Sequence, residues 1–173
     1  MILKIIGSII VVTASSFIGC FLSKDCSKRP LQLKILQGLI QMLENEIRFL
    51  SSYIPDAFKR IYESVDSPVA EFFKATIENL NNDSSLNASQ AWEMAISKNI
   101  YKTALNGEDR DTLVNFGKML GNSDLEGQIK NIEFVLHQLS LQEKKAEETK
   151  RKNETLYKTL GFLGGIAVVL VLI

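Results

Sequence analysis

Residues 125–139 read LEGQIKNIEFVLHQL, and apolar side chains return every three or four positions in this stretch. Residues that repeat about every 3.5 positions fall on one face of a helix, so the 4-3-4-3 spacing is typical of coiled-coil-like packing. The pattern predicts a long last helix with one apolar seam, and Leu136 is expected in the protein core. The seam residues are Leu125, Ile129, Ile132, Leu136 and Leu139.

Apolar segments lie at both ends of the chain. No charged side chain occurs from residue 160 to residue 173, and a second apolar block covers residues 5–22. No Gly or Pro interrupts residues 128–159, so the last helix is predicted to continue into the apolar tail. Because about 20 apolar residues in a helix cross a bilayer core, the sequence predicts a transmembrane anchor at residues 1–23 and a C-terminal transmembrane helix at residues 156–173.

The middle of the chain, residues 24–155, is predicted to be a helical bundle of about six helices that ends in a charged stalk helix. Helix-start signals recur, such as Arg29-Pro30 and the Asn87…Gln90 capping pattern, and no stretch alternates like a strand. The predicted fold class is all-α: a cytoplasmic helical bundle flanked by N- and C-terminal transmembrane helices.

Small residues at four-residue spacing occur in both apolar ends. Ser15 and Gly19 form such a pair in the first segment, and Gly161 and Gly165 form one in the second. Small residues at this spacing let two helix backbones approach closely in lipid. We therefore expect these four residues to pack membrane helices together.

The basic residues predict how the chain is oriented. Cytoplasmic flanks of membrane spans are rich in Lys and Arg, and the outer flanks of the two spans contain only Lys4. The central domain should therefore face the cytoplasm. The inner flanks hold Lys24, Lys28, Arg29, Lys34, Lys144, Lys145, Lys150, Arg151, Lys152 and Lys158.

A lipoprotein remains an alternative to a two-span protein. Residues 17–20, Phe-Ile-Gly-Cys, resemble a bacterial lipoprotein cleavage box with Cys20 as the lipid acceptor. Phe17 is bulkier than the usual residue there, and the apolar run continues through Leu22. In this alternative the helical domain would lie outside the cytoplasm.

Composition argues against several kinds of site. Twenty basic residues balance twenty acidic ones, whereas a nucleic-acid-binding protein shows a basic stripe. The two cysteines and the single histidine, His137, provide no zinc or redox motif. Nucleotide-binding and hydrolase motifs are also absent. The sequence therefore predicts a protein without catalytic residues, metal or cofactor.

Several short segments together resemble one family. They are Arg29-Pro30, Leu43-Glu44-x-Glu46-Ile47, Pro55-Asp56-Ala57-Phe58, Ala91-Trp92, Phe116-Gly117-x-x-Leu120-Gly121-x-Ser123-Asp124, Gln128 and Leu160-Gly161-x-Leu163-x-Gly165. The chain resembles the stage III sporulation protein AB family of endospore-forming bacteria over nearly its whole length. That family is similar to the inner-membrane platform proteins of type II secretion and type IV pilus machines.

The resemblance implies a structural role. It implies a membrane platform within a sporulation channel, a secretion-like complex between mother cell and forespore. The protein would lie in the cell membrane on the mother-cell side of the forespore septum. The implied partners are a stage III sporulation protein AA-like ATPase and other proteins of the channel. A passive two-span membrane scaffold is the alternative.

Four polar residues inside the resembling segments are the candidate partner contacts: Glu44, Glu46, Asp124 and Gln128. Glu44 and Glu46 are two positions apart, so a helix directs them to different faces and they cannot form a catalytic carboxylate pair. One of them flanks the apolar stripe and is a candidate for a partly buried contact. The simpler expectation for each is a solvated surface acid, since charged residues are mostly exposed.

Overall fold

The computed structural model describes residues 7, 13–15, 27–50, 54–120 and 125–172 of the 173-residue chain. Every regular element in these ranges is helical, and no strand occurs in them. The predicted all-α fold class is therefore confirmed for the described part of the chain.

Six α-helices account for most of the described residues. A π-helical turn, Glu46–Leu50, continues directly from the first helix, and a 3₁₀ turn, Ile100–Lys102, follows the fourth. The prediction that the last helix runs without a break through the charged segment into the apolar tail is confirmed. The helices are α1 Lys28–Asn45, α2 Ile54–Glu63, α3 Glu71–Asn82, α4 Ala88–Asn99, α5 Gly107–Met119 and α6 Leu125–Leu172.

The chain divides into two compact units. The terminal unit comprises residues 1–28 and 145–173, and the central unit comprises residues 29–144. All buried aromatic residues described below belong to the central unit.

Helix starts in the central unit follow local sequence. The Asn87 side chain accepts a hydrogen bond from the Gln90 amide at 2.8 Å, while Gln90 Oε1 accepts one from the Asn87 amide, so the predicted capping box is confirmed. A second capping box, between Asn106 and Asp109, begins α5. Each box satisfies amide donors that the first turn of a helix otherwise leaves without partners.

Four aromatic side chains from four helices meet in the core. Phe58 of α2, Phe73 of α3, Trp92 of α4 and Phe116 of α5 pack edge-to-face, with ring centroids 5.1–5.7 Å apart. The Trp92 indole Nε1 donates a hydrogen bond to the Leu113 carbonyl at 2.8 Å. The ring cluster therefore joins helices α2, α3, α4 and α5 around Trp92. The indole nitrogen of this buried tryptophan has a hydrogen-bond partner.

Gly117 gives the tryptophan its space. A Cβ atom built on Gly117 would lie 2.3 Å from Trp92 Cδ1 and 3.1 Å from Trp92 Cγ. Such a separation is far inside van der Waals contact, and the obstacle is a buried ring instead of a flexible side-chain end. The Phe-Gly pair in the sequence is thus a packing requirement: Phe116 packs edge-to-face with the indole, and Gly117 leaves room for its Cδ1 edge.

The start of α1 is tied to the start of α5 by a partly buried ion pair. Arg29 Nε and Nη2 each donate to an oxygen of Asp109 at 2.8 Å, and the Asp109 side chain is fully buried. Asp109 Oδ2 also accepts a hydrogen bond from the backbone amide of Asn106 at 2.9 Å. This hydrogen bonding raises the pKa of the Arg29 guanidinium, with burial acting in the opposite direction. Asp109 is thus both an acid of the first turn of α5 and the buried partner of Arg29.

The buried face of α6 is rotated from the predicted seam. Ile132, Val135 and Leu139 are buried, whereas Leu136 is half-buried and Leu125 is 52% exposed. The expectation that Leu136 is a core residue is therefore wrong.

The rotation follows from what lies on either side of α6. Gln37 of α1 donates to Glu143 at 2.7 Å, and Gln142 donates to Thr112 of α5 at 2.8 Å. Residues of α6 that point between α1 and α5 become buried. The apolar spacing in the sequence alone did not distinguish these residues from Leu136, which is half-buried.

Within the described residues, no helix combines the length and apolar character that a membrane crossing requires. The two transmembrane helices stay predictions of the sequence.

Candidate functional site

Glu44 lies at the end of α1 and is only 6% exposed, so the expectation of a solvated surface acid is wrong for this residue. Its carboxylate accepts hydrogen bonds from Gln41 Nε2 at 2.7 Å and from Arg48 Nη2 at 2.6 Å. A buried carboxylate without such donors would be strongly unfavourable. Its immediate role is therefore to hold the turn that follows α1.

Arg48 connects this turn to α6. Its Nη2 atom lies 3.5 Å from a carboxylate oxygen of Glu133, and both side chains are substantially exposed, at 39% and 59%. An exposed ion pair of this kind contributes little to stability. The Glu44–Arg48–Glu133 chain of contacts therefore runs from a buried acid to the protein surface.

Glu46 makes a separate contact. Arg60 of α2 donates to both of its carboxylate oxygens, through Nε at 3.0 Å and through Nη2. The hydrogen bond to Glu46 raises the pKa of the Arg60 guanidinium. Glu44 and Glu46 thus point to different sides of the chain, as their two-residue spacing predicts, and each has an arginine partner.

A small cleft of about 10 Å³ lies where the π-helical turn meets the end of α5 and the first turns of α6. Most of its lining residues are apolar, and Gln128 and Asn131 are the polar ones. We call it the π-turn cleft. It is lined by Ile47, Phe116, Met119, Leu120, Gln128, Asn131 and Ile132.

The three predicted contact residues that the structure describes have different positions relative to the π-turn cleft. Gln128 lines it and is half-buried, while Glu44 and Glu46 flank Ile47, another lining residue, in the chain. Asp124 lies outside the described residues. Among the described residues, the structure brings Gln128 close to Ile47, in the segment that carries Glu44 and Glu46.

Three of the predicted membrane-packing residues can be placed in the terminal unit. Ser15 Oγ donates a hydrogen bond to the Gly161 carbonyl at 2.7 Å, and Gly165 is buried. Gly19 lies outside the described residues. The Ser15–Gly161 hydrogen bond joins one described residue from each apolar end of the chain.

Within the described ranges, no group of three or more His, Cys, Asp or Glu residues is arranged to hold a metal ion. His137 is exposed on α6. A second concavity, beside the end of α2, is lined by Tyr62, Glu63, Val65, Asp66, Ser67 and Glu71.

Residues 4–173 of the chain match the family of stage III sporulation protein AB. The chain belongs to the stage III sporulation protein AB family. The resemblance noted from short segments is therefore confirmed over almost the full chain.

Two relatives give the scale of this similarity. Stage III sporulation protein AB of Bacillus subtilis (strain 168) is 32% identical over 170 residues, which cover 98% of this chain and 99% of that protein. A solved structure of stage III sporulation protein AB has a TM-score of 0.68 and 30% identity, covering 72% of this chain and 98% of the solved one. The fold and the sporulation family are thus shown together.

Two side chains that connect helices of the central unit, those of Arg48 and Gln142, were not identified from the sequence. Arg48 was part of no predicted site, although its four-residue distance from Glu44 is the spacing of a helical ion pair. Gln142 is 3% exposed and donates to Thr112 and to the Glu108 carbonyl. No local signal marks Gln142, because its partners lie 30 or more residues earlier in the chain.

Proposed function

We propose that this sporulation protein is a non-enzymatic, membrane-anchored platform within the channel between mother cell and forespore. Its central unit would contact a stage III sporulation protein AA-like ATPase in the mother-cell cytoplasm. Family membership over residues 4–173 supports the sporulation role. The finer role is inferred from the likeness of the family to secretion platform proteins.

The π-helical turn Glu46–Leu50 is the observation that carries the choice of contact surface. Such turns are rare, and they occur frequently at functional sites. Here the turn directs Ile47 into the π-turn cleft, while Glu46 binds Arg60 and Arg48 reaches Glu133. We propose that the ATPase binds over the cleft.

Glu44 then acts indirectly. Because its carboxylate is buried and bonded to Gln41 and Arg48, it positions Arg48 and does not itself meet the partner. Gln128 is the predicted contact residue that lines the cleft directly. Glu46 and Asp124 remain candidate contacts.

Alanine at both cleft amides, Gln128→Ala with Asn131→Ala, should weaken capture of the ATPase by about tenfold. That change corresponds to about 1.4 kcal/mol, a common cost for truncating contact residues near the centre of an interface. The measurement is titration of purified ATPase against the full-length protein in detergent, with the helical circular dichroism signal recorded for each variant.

The matched control is Glu126→Ala with Lys130→Ala on the same helix. These residues form an exposed ion pair with an N–O distance of 2.8 Å, and neither lines the cleft. Capture by this control should equal that of the unchanged protein. Equal loss in both double variants would remove the cleft from the interface. No capture by the unchanged protein would favour the passive two-span scaffold.

We further propose that residues 1–23 and 156–173 anchor the protein in the cell membrane, with the Ser15–Gly161 hydrogen bond pairing the two segments. A cysteine at exposed position Ser84, in a chain with Cys20→Ser and Cys26→Ser, should react with a membrane-impermeant thiol reagent only after the cells are opened. This outcome follows from the excess of Lys and Arg on the inner flanks. Labelling of intact cells would favour the lipoprotein with an external domain.

A further inference from the structure

The second concavity of the central unit lies between the end of α2 and the start of α3. Its volume is about 270 Å³, and we call it the α2–α3 concavity. Acids make up half of its lining residues, and none of these residues is basic. The lining residues are Tyr62, Glu63, Val65, Asp66, Ser67 and Glu71.

Contacts within the protein do not account for two of the three acids. Glu63 and Asp66 are exposed, and neither carboxylate has an ion-pair or hydrogen-bond partner among the described residues. Glu63 is also the last residue of α2, where the helix dipole disfavours a negative charge. Because carboxylates around one concavity repel each other, a positively charged ligand would be favourable there.

Lys74 of α3 lies beside the concavity and contacts its third acid. Its Nζ atom is 3.9 Å from a Glu71 carboxylate oxygen and 5.2 Å from the centre of the Tyr62 ring. This single ammonium group partly neutralises Glu71. The charges of Glu63 and Asp66 stay uncompensated, so the concavity remains negative.

Ser67 adds a polar group that is independent of these charges. The residue is only 8% exposed, and its hydroxyl has no hydrogen-bond partner among the described residues. Within these residues, the side-chain atom that is fully enclosed without a partner is Gln142 Oε1, so the Ser67 hydroxyl still reaches solvent. The opening beside Ser67 is the concavity that it lines. A buried hydroxyl without a partner is unfavourable, and a ligand donor at this place would satisfy it.

We infer that the α2–α3 concavity binds the guanidinium group of an arginine side chain on a partner protein. A guanidinium has five N–H donors in one plane, which two carboxylates and a hydroxyl can share, whereas an ammonium has three donors. Its flat face also stacks on aromatic rings, and Tyr62 provides such a ring.

Two other kinds of ligand fit the concavity less well. The described acids include no group of three that is arranged to hold a metal ion. Pockets for whole small molecules usually enclose about 300–1,000 Å³, and this concavity is smaller and is bordered by exposed residues. Its size and opening suit one side chain that projects from another protein surface.

This inference does not depend on the proposed ATPase contact, because the α2–α3 concavity and the π-turn cleft share no lining residue. Loss of binding at one place would therefore leave binding at the other measurable.

Titration of an arginine peptide against the full-length chain in an uncharged detergent tests the inference. The probe is acetyl-Gly-Arg-Gly-amide, and the reporter is the NMR signal of the isotope-labelled Tyr62 ring, identified through Tyr62→Phe. The peptide should move this signal in a saturable way. The same peptide with citrulline, which replaces the guanidinium by an uncharged group of similar shape, should not move it.

Glu63→Gln with Asp66→Asn should weaken binding of the arginine peptide by about tenfold, because it removes both uncompensated charges. Both residues are exposed, so the helical circular dichroism signal should stay unchanged. Glu93→Gln with Asp111→Asn is the matched control, since it removes two exposed acids outside the concavity. The control should bind the peptide like the unchanged protein. Ser67→Ala should weaken binding by about threefold or more, because one acceptor is lost.

Four results would overturn the inference. The Tyr62 signal could fail to move at about 10 mM arginine peptide, a concentration that would reveal even weak binding. The citrulline peptide could move it equally, or both double variants could lose equal affinity, which would indicate a general effect of charge. Finally, free agmatine could bind about a hundredfold more tightly than the peptide, which would assign the concavity to a small guanidinium compound.

Discussion

Replacing Trp92 by alanine is expected to lower the free energy of unfolding of the central unit by about 3–5 kcal/mol, the usual cost of truncating a buried large aromatic residue. The indole is fully buried and contacts Phe58, Phe73 and Phe116. Its removal opens a cavity among helices α2 to α5 and removes the indole donor from the buried Leu113 carbonyl.

Urea unfolding of a fragment covering residues 24–155 measures this effect. The transition must be followed by far-ultraviolet circular dichroism, because Trp92 is the only tryptophan and its fluorescence is lost in the variant. Met94→Ala on the same helix is the control. Met94 is 36% exposed, so its truncation should change stability by less than about 1 kcal/mol. A Trp92→Ala cost equal to that of the control would refute the described core.

Gly117 offers an independent check on the same contact. Gly117→Ala should be destabilising by about 1–3 kcal/mol, the range of an overpacked core, because its Cβ would collide with the indole. In the Trp92→Ala background that collision no longer exists. The two changes should therefore cost less together than the sum of their separate costs, and strict additivity would show that the residues do not touch.

Replacing Asp109 by alanine is expected to cost about 3 kcal/mol, at the low end for breaking a buried ion pair. The change leaves the Arg29 guanidinium and the Asn106 amide without the carboxylate that now binds both. The Arg29 side chain is 21% exposed, so water partly compensates its charge and keeps the loss moderate. The same urea titration measures the change.

Asp111→Ala is the matched control for Asp109→Ala. Asp111 lies in the same helix, its side chain is 73% exposed, and its contact with Arg110 is 3.9 Å long. This variant should unfold within about 0.5 kcal/mol of the unchanged protein. An Asp109→Ala cost that small would mean that the start of α1 is not held to α5 through this pair.

The helices and several of their boundaries could be predicted from the sequence, since these depend on neighbouring residues. The capping box of Asn87 and Gln90 is one example, because its hydrogen bonds span three residues. The start of α2 at Ile54-Pro55 is another, since proline fits the first turn of a helix. The sequence also carried the family signature, which the match over residues 4–173 confirms.

The candidate site was only partly predictable. The sequence identified the segment from Glu44 to Ile47 as a candidate contact, but it could not predict how exposed each acid is. Glu44 is buried, and Glu46 binds an arginine fourteen residues away. A carboxylate has the same local pattern whether it faces water or an arginine that another segment supplies. Its surroundings depend on which helices pack beside α1.

The sequence by itself determined the helical class, the apolar ends, several caps and the sporulation family, because each depends on local spacing or on the order of residues. Tertiary structure alone decided which side of α6 is buried, why Gly117 lies beside Trp92, and that Arg29 meets Asp109 eighty residues later. The physical reason is that burial and charge pairing depend on neighbours in space. Those neighbours are set when α1, α5 and α6 pack together, and no single helix encodes them.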